Sequence, residues 1–194
     1  MSTPVQHTPH RHAYSVDDYY RMAEAGILRP GDRVELIEGE IIDMVPIGSR
    51  HAAAVKRIAR VLSQVIGEHA YLSVQDPVRL SQYSEPQPDI ALLRPRADFY
   101  AAVHPGPGDV LLLVEVADST LRFDRDIKLP LYARHGIPEV WLVDIENAQL
   151  TMHREPHAHG YAKIQTPISL TRIEVPGLAD VAVDLSGLFQ VAGS

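Results

Sequence analysis

Two acidic residues and one lysine in this chain have the types and spacing needed to hold a divalent cation beside a phosphodiester. Asp89 follows Pro88 at the start of a short apolar segment, and Glu115 lies inside the most apolar run of the chain. Lys128 follows that run, in a segment that has the features of a helix. A carboxylate in a strand buried on both faces is costly unless it is paired or binds a cation. This combination is the main reason to predict a chemistry for the chain.

The two acids favour a magnesium site. Adjacent strands lie about 4.8 Å apart, so the side chains of Asp89 and Glu115 would converge if they lie on matching faces. Mg²⁺ commonly uses only one or two carboxylates, while water and phosphate complete its octahedron. We therefore predict that Asp89, Glu115 and the backbone carbonyl of Val116 bind Mg²⁺, for which Mn²⁺ would substitute.

Each of these residues also has a purely structural interpretation. Glu115 could pair with an arginine at the end of its strand, Pro-Asp is a common turn dipeptide, and most helix lysines are solvated. A functional Lys128 must reach the attacking water or the scissile phosphate, where it would stabilise the growing negative charge. Asp124 and Asp126 are interpreted as acids that favour a helix N-terminus.

The elements that must position these residues form a mixed pattern of helices and strands. The predicted helices begin at a Ser15 cap and end at Gly26, begin at a Ser49 cap and end near Gly67, and run over 124–135. The predicted strands form a hairpin over 34–45 and then cover 71–74, 78–80, 90–93, 110–116, 139–144, 150–153, 161–165 and 181–183.

This order of elements predicts the fold class. A buried strand, a helix and a second buried strand imply a right-handed crossover between parallel neighbours. We therefore predict an α/β (α+β) fold with a central mixed β-sheet flanked by helices on both faces. Because 194 residues suit one substantial core, residues 14–194 are predicted to form a single domain, after a disordered tail at 1–13.

Several segments of the chain resemble a known family. Pro88-Asp89, Leu113–Val116 and the block from Lys128 to Asp144 resemble the Uma-type family of bacterial restriction endonucleases, within the PD-(D/E)XK nuclease superfamily. The similarity extends upstream to segments 35–40 and 48–51, and it covers roughly residues 14–190. The resemblance implies a restriction-endonuclease-like core and a metal-dependent endonuclease that hydrolyses DNA.

The resemblance also implies roles for individual residues. Asp89 and Glu115 are similar to the metal-binding acids, and Lys128 is similar to the lysine of the superfamily pattern. That pattern places the lysine two residues after the glutamate, where this chain has Ala117; the lysine would then have moved to the following helix. Glu35 resembles an additional catalytic acid from an N-terminal element. Two further residues could support the site: His51 could contact phosphate or line the site, and Tyr132 could orient Lys128 through its hydroxyl.

Composition limits the other functions. The net charge of −7 argues against nonspecific coating of nucleic acid, but a site built from carboxylates is negative by design. The absence of cysteine excludes disulfides and suits a reducing compartment, and no apolar run could span a membrane. We therefore predict a cytoplasmic protein whose partner is DNA, and cutting of two strands would favour a homodimer. The alternative is a catalytically inactive nuclease-fold module that binds nucleic acid or a protein partner.

Overall fold

A six-stranded mixed sheet forms the centre of the molecule, and the computed structural model describes residues 11–190. The strand order is β3-β4-β5-β6-β7-β8, with strands at Tyr71–Val74 (β3), Ile90–Leu93 (β4), Val110–Ala117 (β5), Glu139–Asp144 (β6), Gln149–His157 (β7) and Gly160–Gln165 (β8). Only β5 and β6 pair in parallel among these neighbours. The predicted parallel crossover is therefore confirmed.

Helices cover both faces of this sheet. Every residue of β5 is buried, as expected for a strand with a continuous apolar sequence. From Leu112 to Ala117, the apolar residues of β5 alternate between two core clusters, one packed against α2 (Ser49–Val65) and the other against α4 (Leu129–Arg134). The predicted α+β class with a helix-flanked mixed sheet is confirmed.

A separate hairpin carries Glu35. Its strands are β1 (Val34–Ile37) and β2 (Glu40–Asp43), which pair in antiparallel fashion as predicted. The turn residue Gly39 has a φ of +81°, and a Cβ there would lie 2.6 Å from the Cβ of Ala13. Only glycine satisfies both the positive φ and this close approach. β1 is buried along its whole length and reaches the rest of the molecule through a bridge between Leu36 and Glu85.

The helical segment after β5 is irregular. A short α3 (Leu121–Phe123) leads into a π-helical turn, Asp124–Lys128, and then into α4. The amide of Leu129 donates to the carbonyl of Asp124, five residues earlier. Pro130 follows the wide turn and has no N–H with which to continue an α-helical pattern. Such wide turns occur frequently at functional sites.

The ends of several elements differ from the prediction. α1 (Val16–Glu24) has the expected Ser15 cap, which exchanges hydrogen bonds with Asp18. Ser49 is the first residue of α2 rather than its cap, which is Gly48. The remaining strands are the pair β9 (Ile173–Glu174) and β10 (Ala182–Val183).

Residues 78–80 are not a strand, contrary to the prediction. The amide of Arg79 donates to the carbonyl of Pro105 and that of Leu80 to the carbonyl of Ser84. Successive amides of this segment therefore bond to different parts of the chain and not to one neighbouring strand.

The predicted N-terminal tail falls mostly outside the described residues, which begin at Arg11. Residues 11–13 are irregular, and Arg11 pairs with Glu40. Within residues 11–190, no helix combines the length and hydrophobicity needed to cross a bilayer.

Candidate active site

A buried lysine lies between two buried carboxylates. The Nζ atom of Lys128 is 3.2 Å from Oε2 of Glu35 and 3.4 Å from Oε1 of Glu115. Lys128 comes from the π-helical turn, Glu35 from the hairpin and Glu115 from the central strand. Three different elements thus bring together three residues that the sequence analysis predicted for the site.

Burial and the neighbouring charges shift the pKa values of Glu115 and Lys128. Burial raises the pKa of Glu115 well above its usual value, against the attraction of Lys128. Burial alone would lower the pKa of Lys128, but Glu115 and Glu35 outweigh it, so that pKa is raised. The ammonium group is therefore charged at neutral pH. The hydroxyl of Tyr132 donates to Oε1 of Glu115, so Tyr132 fixes the glutamate; that it also orients Lys128 stays a prediction.

Asp89 is fixed at the point where the β4–β5 ladder ends. The last pair is Ile90 with Val114. Beyond it, Oδ2 of Asp89 accepts the amide of Val116 at 2.9 Å, so the side chain replaces a missing strand partner. Ile90 follows Asp89 and Val114 precedes Glu115, and both pack in the core cluster against α2. Because successive side chains of a strand point to opposite faces, Asp89 and Glu115 both lie on the other face of the sheet. The predicted role of the Val116 carbonyl in metal binding stays a prediction, since the contact seen here is through the amide.

Two polar side chains hold the carboxylate of Asp89. His51, in the first turn of α2, has its Nε2 3.1 Å from Oδ2 of Asp89, and Gln75 donates to Oδ1 at 3.1 Å. Burial lowers the pKa of His51, but the hydrogen bond and charge of Asp89 outweigh burial, so the pKa is raised. In this structure His51 therefore contacts an acid of the site.

Asp124 is a member of the site that sequence reasoning missed. It is buried in the same π-helical turn as Lys128, and its Oδ2 accepts a hydrogen bond of 2.6 Å from Thr120. Burial raises the pKa of Asp124 to about 6, although Lys128 opposes this shift. Its position four residues before Lys128 was the available signal, since residues at i and i+4 share a helix face.

All of these residues except Tyr132 line one cavity of about 380 Å³. Its polar lining includes five carboxyl residues and three cationic residues, with several uncharged polar side chains: Glu35, Asp43, Asp89, Glu115 and Asp124; Arg33, Arg122 and Lys128; and His51, Gln75, Gln87 and Thr120. Five acids against Lys128 and the two arginines leave an excess of negative charge, which protons or a cation would offset. Within residues 11–190, no group of three Asp, Glu or His side chains is arranged to bind a metal ion. The ammonium of Lys128 already lies between two of the acids.

A family model described as "putative restriction endonuclease", Uma2, matches residues 16–186. The chain belongs to the Uma2 family. The recognised resemblance is therefore confirmed, and family membership supports a nuclease. No curated protein matches the sequence.

A solved structure supports the fold of this Uma2 protein. The chain is similar to the crystal structure of a "putative nuclease belonging to DUF820" from Anabaena variabilis, with a TM-score of 0.69. The two chains share 17% identity, and the similarity covers 90% of this chain and 97% of the other. At this identity the match establishes the architecture, while the roles of Asp89, Glu115, Lys128 and Glu35 stay predictions.

Proposed function

We propose that this Uma2 protein is a Mg²⁺-dependent endonuclease that hydrolyses phosphodiester bonds of DNA. The observation that carries the proposal is the buried ammonium of Lys128 between Glu35 and Glu115, in a cavity that Asp89 also lines. A buried lysine with two acids is costly as a purely structural device, and its placement at a cavity gives it access to a substrate.

The donor chemistry of the cavity fits a hard divalent cation. Oxygen ligands are what Mg²⁺ requires, and one or two carboxylates suffice. Asp89, Glu115 and the carbonyl of Val116 would hold the ion. Burial raises the pKa of Glu115 and of Asp124, and neighbouring acids add to the rise; a cation would offset that part. When bound, Mg²⁺ would polarise a phosphate oxygen and lower the pKa of a coordinated water.

The chain's own residues would supply positioning and charge. Lys128, protonated at neutral pH, donates to the attacking water or to a phosphate oxygen, where the transition state gains negative charge. Glu35 keeps this ammonium in place, and the amide of Gln87 in turn donates to Oε2 of Glu35 at 3.0 Å. Tyr132 fixes Glu115 in the same way.

A cleavage assay on purified protein tests the proposal. We expect Mg²⁺ or Mn²⁺ to support cleavage of DNA by the wild type, and chelation to abolish it. Asp89→Asn and Lys128→Met should each lower kcat by at least about 10²-fold, the usual cost of losing one electrostatic contact to a transition state. Lys56→Met is the matched control, because Lys56 is exposed on α2. Unchanged cleavage by both site variants would refute these roles.

The rival function is a nuclease-fold module without turnover. It is favoured by the ammonium of Lys128, which two carboxylates already engage. Such a module would bind a partner in the absence of divalent cations and would release no cleaved DNA over a long incubation. The same assay, read together with DNA binding in EDTA, separates the two functions.

A further inference from the structure

Apolar side chains line the catalytic cavity together with its five carboxyl groups. We call Ile42, Met44, Val45, Ile47 and Phe123 the apolar wall; the exposed Asp43 lies between the first two in sequence and lines the same cavity. Val45 is 51% exposed and Ile47 is 38% exposed. The wall thus keeps large apolar side chains at an open cavity rather than in the core, which is typical of a surface that binds a ligand.

Two arginines flank the apolar wall. Arg33 and Arg122 line the same cavity, and both are exposed. The Nη1 atom of Arg33 donates to the carbonyl of Val45 at 3.5 Å, which places this guanidinium beside the wall. Guanidinium groups bind phosphate oxygens strongly. The cavity therefore combines acids, an apolar surface and groups suited to phosphate.

A paired duplex has little to place against such a wall. Its bases are stacked inside, and the surface that it presents to a cleft is largely sugar and phosphate. Packing charged phosphate on Val45 and Ile47 would desolvate both without gain. An unpaired nucleotide, by contrast, exposes the face of its base, which packs well on apolar and aromatic side chains such as Phe123.

We infer that the cavity binds one unpaired nucleotide, with its base on the apolar wall and its phosphates between the arginines and the acids. The substrate class is then single-stranded or locally unpaired DNA. The inference rests on the proposed function and makes it more specific. The cavity volume of about 380 Å³ is consistent with it, because sites for small molecules span about 300–1,000 Å³.

Cleavage of three DNA substrates of one sequence tests the inference. They are a single strand, a blunt duplex and a duplex with an unpaired flap, each in Mg²⁺. We expect cleavage of unpaired DNA at least about tenfold faster than cleavage of the duplex. The double variant Val45→Ser/Ile47→Ser should lower kcat/KM on the single strand by about tenfold, within the range that loss of one stacked base produces.

The control is Val103→Ser, which should behave as wild type. Val103 is 50% exposed, which matches Val45, but it lies outside the cavity. Asp89→Asn shows whether any cleavage belongs to this site. Binding to a base-bearing strand and to an abasic strand is measured in parallel by fluorescence anisotropy, in Ca²⁺.

The outcomes are distinguishable. If Asp89-dependent cleavage is as fast on the duplex as on the single strand, the inference is overturned and the proposed function stands. If no DNA is cleaved, the proposed function fails and the binding data decide. A preference for the base-bearing strand that the Val45→Ser/Ile47→Ser variant loses would support the unpaired-nucleotide site, and equal binding of both strands would overturn it.

Discussion

Replacing Lys128 with methionine preserves the side-chain bulk and removes the positive charge between two buried acids. Loss of one partner from a buried ion pair typically costs about 3–5 kcal/mol. In a chain of this size, 1 kcal/mol shifts Tm by about 2–4 °C, so we expect Lys128→Met to lower Tm by about 6–20 °C. The exposed Lys56→Met control should stay within about 0.5 kcal/mol of wild type.

The loss should depend on pH in a defined direction. Lys128 is the strongest influence that lowers the pKa of Asp124, which is about 6 in the wild type, so its removal raises that pKa further. A carboxyl with a folded pKa above its unfolded pKa loses stability as pH rises through the interval between them. The deficit of Lys128→Met relative to wild type should therefore be larger at pH 8 than at pH 5.

Urea unfolding measures both effects through the fluorescence of Trp141, the only tryptophan of the chain, which is buried. A second substitution, Glu35→Gln, should restore part of the stability of Lys128→Met, because it removes one uncompensated charge. If the double variant shows only additive losses, or if Lys128→Met is as stable as Lys56→Met, the ammonium does not neutralise these acids and our account of the cluster is wrong.

Three further changes probe the site and its support. Asp124→Asn should stabilise the protein by about 3 kcal/mol at pH 8, because a folded pKa of about 6 against an ordinary 3.8 penalises the charged form; urea titrations should show no gain at pH 4, and a gain that persists there would contradict the cause. Saturating Mg²⁺, at about 100 times its Kd, should raise the wild-type Tm by about 5–11 °C. Thermal shift assays should show a smaller rise for Glu115→Gln, and an equal rise would place the ion elsewhere. Gly39→Ala should lower the free energy of unfolding by about 1–3 kcal/mol, because of the positive φ and the nearby Ala13. Gly187→Ala is the control, since a Cβ there would meet open space. Equal urea midpoints for the two variants would show that the hairpin tolerates a Cβ at position 39.

Features that local pattern determines were predictable from the sequence. The continuous apolar run of β5 gave a buried strand, and the turn at Gly39 gave the hairpin. The family resemblance and the cost of a buried carboxylate together pointed to Glu115 and Lys128, which the fold brings within 3.4 Å.

The rest depended on tertiary contacts. The spacing of Asp124 from Lys128 is compatible with a shared site, but the same position also suits an acid at a helix N-terminus, and only its burial separates the two. The alternation of Val78 and Leu80 is typical of a strand, but both side chains are buried in an irregular segment whose amides pair elsewhere. The hydrogen bond from Gln75 to Asp89 depends on the positions of β3 and β4, which no local pattern shows.

The π-helical turn sets the direction of three side chains at once. Asp124, Lys128 and Tyr132 are spaced four apart, and in a regular α-helix positions i, i+4 and i+8 would drift by about 80° around the axis. All three are buried, and Lys128 and Tyr132 both contact Glu115; the wide turn offsets part of that drift. A one-residue deletion among Arg125–Ile127 would convert it to an ordinary turn and rotate one end of the segment by about 100° relative to the other. The length of this short insertion, rather than the identity of its exposed residues, thus sets whether the lysine and the tyrosine face the same glutamate.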